Sequence, residues 1–222
     1  MKAVVIGGHT RNIGKTSLMS ALIREFEPLG WTAVKITQYG HGICSLDGDP
    51  CGCAPEEHPF ALTEETDPHG RGDTCRFLAA GARRSLWLRV RQGQLASAIP
   101  LLMEAIGPGD GWAMIESNSI LEFLQPLLYL AVLDDSRPDF KPSALRALAR
   151  ADALVAVGSS LDRRSGSKPW LGLDPAVLRN KPVFPVTRSD YRNPALNQFI
   201  RQRLAAGALS SSSPAREQIW AH

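Results

Sequence analysis

Lys2-Ala3-Val4-Val5-Ile6-Gly7-Gly8-His9-Thr10-Arg11-Asn12-Ile13-Gly14-Lys15-Thr16-Ser17 is the stretch that decides how this 222-residue chain is read. A short β-branched run ends in a Gly-Gly pair. A polar loop follows, and Gly14-Lys15-Thr16-Ser17 opens a segment with Leu18, Leu22 and Phe26 on one helical face. Strand, loop and helix thus arrive in the order that aims backbone N–H groups and a helix N-terminus at one point, a ready site for an anion. Five residues separate Gly8 from Gly14, one more than the usual phosphate-loop pattern allows. In such a loop Lys15 sits on the β- and γ-phosphates, and the Thr16 hydroxyl reaches Mg²⁺. The candidate nucleotide-binding set is therefore Gly8, His9, Thr10, Arg11, Asn12, Ile13, Gly14, Lys15, Thr16 and Ser17.

Outward from this loop, β-rich runs alternate with helical patterns, as in a parallel sheet covered by helices. Strands are expected at Lys2–Ile6, Trp31–Thr37, Ser85–Val90, Gly111–Glu116, Leu127–Leu133, Ala153–Val157 and Pro182–Val186. Helices are expected after Gly14, at Thr74–Ala80, at Leu95–Ile106 with a bend at Pro100, at Ser143–Arg150 and at Pro194–Leu204. The reading is an α/β, three-layer P-loop NTPase sandwich with a mainly parallel sheet, formed by one domain over 1–205. Residues 206–222 read as a C-terminal tail. Residues 40–72 show neither period and read as a Cys/His-rich insertion or lid after strand 2.

Hydrophobic residues make up 44% and charged residues 21%, an ordinary globular balance. A net charge of +3 is too small to argue for nucleic acid. No signal-peptide pattern and no run long enough to span a bilayer is evident, so a cytoplasmic protein without membrane contact is expected.

All four cysteines, Cys44, Cys51, Cys53 and Cys75, fall between residues 44 and 75, with His41 close by. In a compartment where disulfides are disfavoured, such soft ligands suit a tetrahedral Zn²⁺ site that would order the insertion. Cys75 also fits a buried small side chain beside Phe77 and Leu78, in which case His41 would complete a three-cysteine set. Glu116 ends a strand, where ligands gather in open α/β sheets, and is a candidate Mg²⁺ ligand with Thr16. Asp134 and Asp135, adjacent after another strand, read as solvated acids. Thr187, Arg188 and Asp190 follow the last strand and are placed to face a nucleotide base.

The five-residue spacing resembles the loop of dethiobiotin synthetase and its relatives. Val34-Lys35, Asp73-Thr74 with Ala79-Ala80-Gly81-Ala82, and Ala113-Met114-Ile115-Glu116 resemble segments of the molybdopterin-guanine dinucleotide biosynthesis adaptor family, the MobB proteins. The resemblance covers about the first 120 residues. It implies that Glu116 and Asp73 lie near the metal or the attacked phosphate and that Lys35 faces substrate and γ-phosphate, which with Lys15 makes a catalytic set. It also implies a metal-cofactor partner protein and a homodimer. Ser117 departs from the family's Glu-Gly, and no Asn-Lys-x-Asp motif reads guanine, so ATP and GTP both stay open. Three functions follow: an Mg²⁺-dependent NTPase or adaptor tied to metal-cofactor assembly, an ATP-dependent synthetase or kinase acting on a small carboxylate-type acceptor, or a non-catalytic nucleotide-binding module.

Overall fold

The computed structural model describes residues 1–39, 59–109, 111–134, 136–137, 139–158 and 180–210. Its centre is an eight-stranded sheet. The strands are β1 (Lys2–Gly8), β2 (Thr32–Tyr39), β3 (Phe60–Glu65), β4 (Arg84–Arg91), β5 (Trp112–Glu116), β6 (Leu128–Asp134), β7 (Ala153–Val157) and β8 (Val183–Val186). They lie in the order β3-β4-β2-β5-β1-β6-β7-β8. All neighbouring pairs are parallel except β3 with β4.

The central strands read as unbroken apolar runs because both of their faces are buried. Val4, Ile6, Leu128, Leu130 and Val132 point to one layer, whereas Val5, Tyr129, Ala131 and Leu133 point to the other. The first layer holds α1 (Lys15–Glu25), α2 (Asp73–Ala79) and α5 (Pro194–Ser210), through Leu18, Leu22, Phe77, Leu196 and Ile200. The second holds α3 (Leu95–Ile106) and α4 (Pro142–Leu148), through Leu95, Leu102, Ala147 and Leu148. Two packed cores on one sheet make the three-layer sandwich. Trp31 is fully buried, donates its indole N–H to the Phe26 carbonyl at 2.9 Å and meets Trp112 edge-on, which fixes the turn from α1 into β2. Pro100 lies inside α3 on its exposed side, where water can take the carbonyl it leaves free.

Two boundaries differ from the sequence reading. Residues 60–65, inside the stretch read as aperiodic, form β3, an antiparallel edge strand. Only Phe60 and Leu62 of β3 pack on the core, too few to announce a strand, and Arg84 holds its charged end through Glu64 at 2.7 Å. Helix α5 runs through Ser210, past the helix end read at Leu204, and Gly207 packs where a Cβ would meet Leu127. No described helix is long and apolar enough to cross a membrane.

At Gly7 the fold leaves no room for a side chain. A Cβ there would stand 2.1 Å from the Asn118 carboxamide oxygen and 2.5 Å from the Tyr129 hydroxyl. Gly7→Ala should therefore lower unfolding stability by about 2 kcal/mol, read as a lower urea midpoint. An unchanged midpoint would mean that the Asn118 loop yields without cost.

Candidate functional site

The end of β1 is tied by a side chain from the neighbouring loop. The Gly8 N–H donates to the Asn118 carboxamide oxygen at 2.9 Å, and the Asn118 NH₂ donates back to the Gly8 carbonyl at 2.8 Å. Tyr129, whose hydroxyl burial keeps protonated, donates to the same Asn118 oxygen at 3.2 Å. The chain then turns through two left-handed residues, Asn12 at φ 56° and Gly14 at φ 93°. Gly14 also needs its missing Cβ because the Tyr191 hydroxyl would lie 2.0 Å from it. No side chain caps the N-terminus of α1 and no acid occupies its first turn. The free N–H groups of that turn thus converge on the loop mouth with the positive end of the helix dipole.

Charged groups line the same mouth. The Lys15 ammonium donates to the Thr10 carbonyl across the loop at 2.6 Å. Burial, with Lys35 and Lys141 adding repulsion, pushes its pKa down to about 8. Glu116 is only 3% exposed and holds two partners at once. The Thr16 hydroxyl donates to one of its oxygens at 2.8 Å and the Lys35 ammonium to the other at 2.5 Å. Lys35 also pairs with Asp73 at 2.8 Å. Burial alone would lower the Lys35 pKa, but Glu116 and Asp73 outweigh it and the net shift is upward. Burial would raise the Asp73 carboxyl, and Lys35 more than reverses it. Arg76, one turn along α2, reaches Ser17 at 2.9 Å and Asp73 at 3.6 Å. Lys15, Lys35 and Arg76 outnumber Glu116 and Asp73, so the mouth carries excess positive charge.

The opposite rim is built from the segment after β6 and the segment after β8. His9 is buried edge-on against Phe140, its Nε2 accepts the Asp134 N–H at 3.4 Å, and burial lowers its pKa to about 4. Its backbone carbonyl accepts the Lys141 N–H at 3.1 Å, and the Thr10 hydroxyl bonds Asp139. Ile13 packs in the core beneath, while Arg11 and Asn12 are exposed. Asp134 corrects the expectation of a solvated acid. It is fully buried, accepts bonds from Ser136 at 2.8 and 3.0 Å, and pairs with Arg188 at 2.6 Å. Arg188 is thereby committed to the loop wall. Asp135 lies outside the described residues.

Of the proposed zinc ligands, Cys44, Cys51, Cys53 and His41 lie outside the described residues. Cys75 is buried and donates its thiol to Glu65 at 3.1 Å, and burial followed by that carboxylate pushes the thiol pKa up. Among the described residues no group of three or more His, Cys, Asp and Glu side chains is placed to hold a metal ion. The oxygen pair of Thr16 and Glu116 suits Mg²⁺, a hard cation that takes its remaining ligands from water and phosphate.

The structure thus brings Lys15, Thr16, Lys35, Asp73 and Glu116 together at the loop mouth. Asn118, Tyr191, Asp139 and the Asp134–Arg188 pair were missed by sequence reasoning. Only Asn118 carried a signal, its place two residues beyond a strand-end glutamate. For a triphosphate held on Lys15, which must be protonated to meet it, affinity should fall as pH rises through about 8, with a proton taken up on binding above that value. Calorimetry in buffers of different ionisation enthalpy measures both. Affinity independent of pH up to about 9 would show that Lys15 does not meet the phosphate.

No family model matches the sequence, and no curated protein matches it with significance. Among solved structures the chain is similar to HypB from Helicobacter pylori in complex with nickel, at 11% identity and a TM-score of 0.47, covering 96% of this chain and 90% of that one. It is also similar to the signal recognition particle 54 kDa protein from Aeropyrum pernix K1 in complex with GDP, at 14% identity and a TM-score of 0.46. That match covers 95% of this chain but 48% of the other, so the chain spans about half its length.

Proposed function

We propose that this chain binds a nucleoside triphosphate, ATP or GTP, with Mg²⁺ in the loop from Gly8 to Ser17, and hydrolyses it slowly. The observation that carries the reading is the buried Glu116 carboxylate, held between the hydroxyl of Thr16 on α1 and the ammonium of Lys35 on β2. A buried ion pair of this kind contributes little net stability, because desolvation offsets the attraction. Its retention at the mouth of an uncapped helix is better explained by a ligand.

With nucleotide present, Lys15 exchanges the Thr10 carbonyl for the β- and γ-phosphate oxygens. Thr16 and Glu116 supply the protein oxygens for Mg²⁺, which when bound neutralises charge on the phosphates. Lys35 swings from Glu116 toward the charge that develops on the γ-phosphate. Asp73 keeps Lys35 protonated and within reach. Positioning and charge stabilisation suffice for slow phosphoryl transfer to water. The resemblance to the MobB proteins supplies the cellular role in this proposal, a nucleotide-driven adaptor that docks on a protein of metal-cofactor assembly, acting as a dimer. A second reading, transfer of the γ-phosphoryl group to a small acceptor, is favoured by the partly open sheet face beyond Lys35.

Glu116→Gln should lower the rate of Mg²⁺-dependent phosphate release about 100-fold while nucleotide affinity stays within about threefold. Removal of Mg²⁺ with EDTA should stop release in the wild type. Phosphate release at the wild-type rate in Glu116→Gln would remove Glu116 from the chemistry.

A further inference from the structure

On the sheet face that carries α1 and α2, cover by the described helices runs out toward the carboxyl ends of β2 and β4. Helix α2 still touches β4 at Ser85, whose hydroxyl donates to the Thr74 carbonyl at 2.9 Å. Farther along, Lys35 lies beside Trp87, and Thr37 beside Arg89, while β3 sets Thr63 and Ala61 opposite the same two residues of β4. Partners in register share a face, so these six residues form one strip. Thr37, Trp87 and Arg89 are partly exposed, and Ala61 and Thr63 are exposed.

The strip is organised around one cation. The Trp87 indole N–H donates to the Thr37 hydroxyl at 3.0 Å, which fixes the ring. The Arg89 guanidinium lies over that ring, 4.8 Å from its centroid. Its Nε is enclosed and has no hydrogen-bond partner among the described residues. The enclosed Nε lies out of a ligand's reach, so an acceptor meets the terminal N–H groups, and the fork of a held guanidinium matches the two oxygens of a carboxylate or phosphate group. Adjacent strands lie about 4.8 Å apart and residues two along a strand about 6.7 Å apart. Arg89 is two residues beyond the position facing Lys35, so the two backbones are separated by roughly 8 Å. Side chains of that length can grip one small molecule between them.

We propose that this strip docks a small oxyanion, the carboxylate or phosphate group of a small molecule, on the Arg89 guanidinium, beside Lys35 and the site of the terminal phosphate. Its use as a phosphoryl acceptor rests on the nucleotide reading, whereas the docking does not. Lys35 is shared by both sites, so occupancy of one changes the charge felt by the other.

The test uses the full chain without nucleotide. In ¹⁵N–¹H correlation spectra, the Trp87 indole resonance is identified by its loss in Trp87→Phe. Sodium phosphate and sodium succinate are then titrated separately at constant ionic strength. At least one salt should shift this resonance saturably, and the salt with the lower midpoint names the group. Arg89→Gln should raise the midpoint at least about tenfold, and Arg89→Lys should raise it too, because an ammonium lacks the fork. Lys15→Ala should keep the saturable shift. No saturable shift with either salt, or an Arg89→Gln midpoint equal to wild type, would overturn the proposal. A shift lost in Lys15→Ala would also overturn it, assigning the response to the phosphate loop. An Arg89-dependent shift in a protein that binds no triphosphate would sustain the docking and defeat the nucleotide reading alone.

Discussion

A carboxylate buried between a hydroxyl and an ammonium is the constraint on which the rest of this site depends. Glu116 can be almost wholly removed from water only because Thr16 and Lys35 each satisfy one of its oxygens. Those partners come from α1 and β2, so one side chain joins the phosphate loop, the strand beside it and, through Asp73, the start of α2. The parallel sheet makes this meeting unavoidable. Glu116, the last residue of β5, pairs in register with Ile6 on one side and Lys35 on the other, so the three residues lie side by side at one level of the sheet.

The same logic explains the loop's shape. Side chains from neighbouring segments hold this loop in place. Asn118 grips Gly8 on both of its polar groups, Tyr191 backs Gly14, and Phe140 covers His9. The pairing of the buried Asp134 carboxylate with the exposed Arg188 guanidinium ties the segment after β8 to the end of β6.

Most of the fold was legible because its signals are local. The β1–loop–α1 unit announces itself in order, and buried parallel strands such as Ala153–Val157 read as apolar runs with few alternatives. Strand β3 was not legible, since an edge strand with one covered face and two terminal glutamates carries little periodicity. In the site, Lys15, Thr16 and Glu116 could be named because each sits at a strand end or a helix start. Asn118 and Tyr191 could not, and Arg188 was read toward a nucleotide base and not toward Asp134, for these roles arise from contacts that span a hundred residues or more along the chain or from the packing of the last loop. Asp134 was misread for the same reason. Two adjacent acids look solvated until the partner 54 positions away is known.

Titration calorimetry of a triphosphate with Mg²⁺ into the wild type and into Lys15→Ala addresses the central claim most directly. Saturable one-site binding in the wild type, weakened at least about 100-fold in a variant whose urea midpoint is unchanged, is the result the proposal predicts. Equal affinity in the two proteins, or no binding by the wild type, would contradict it.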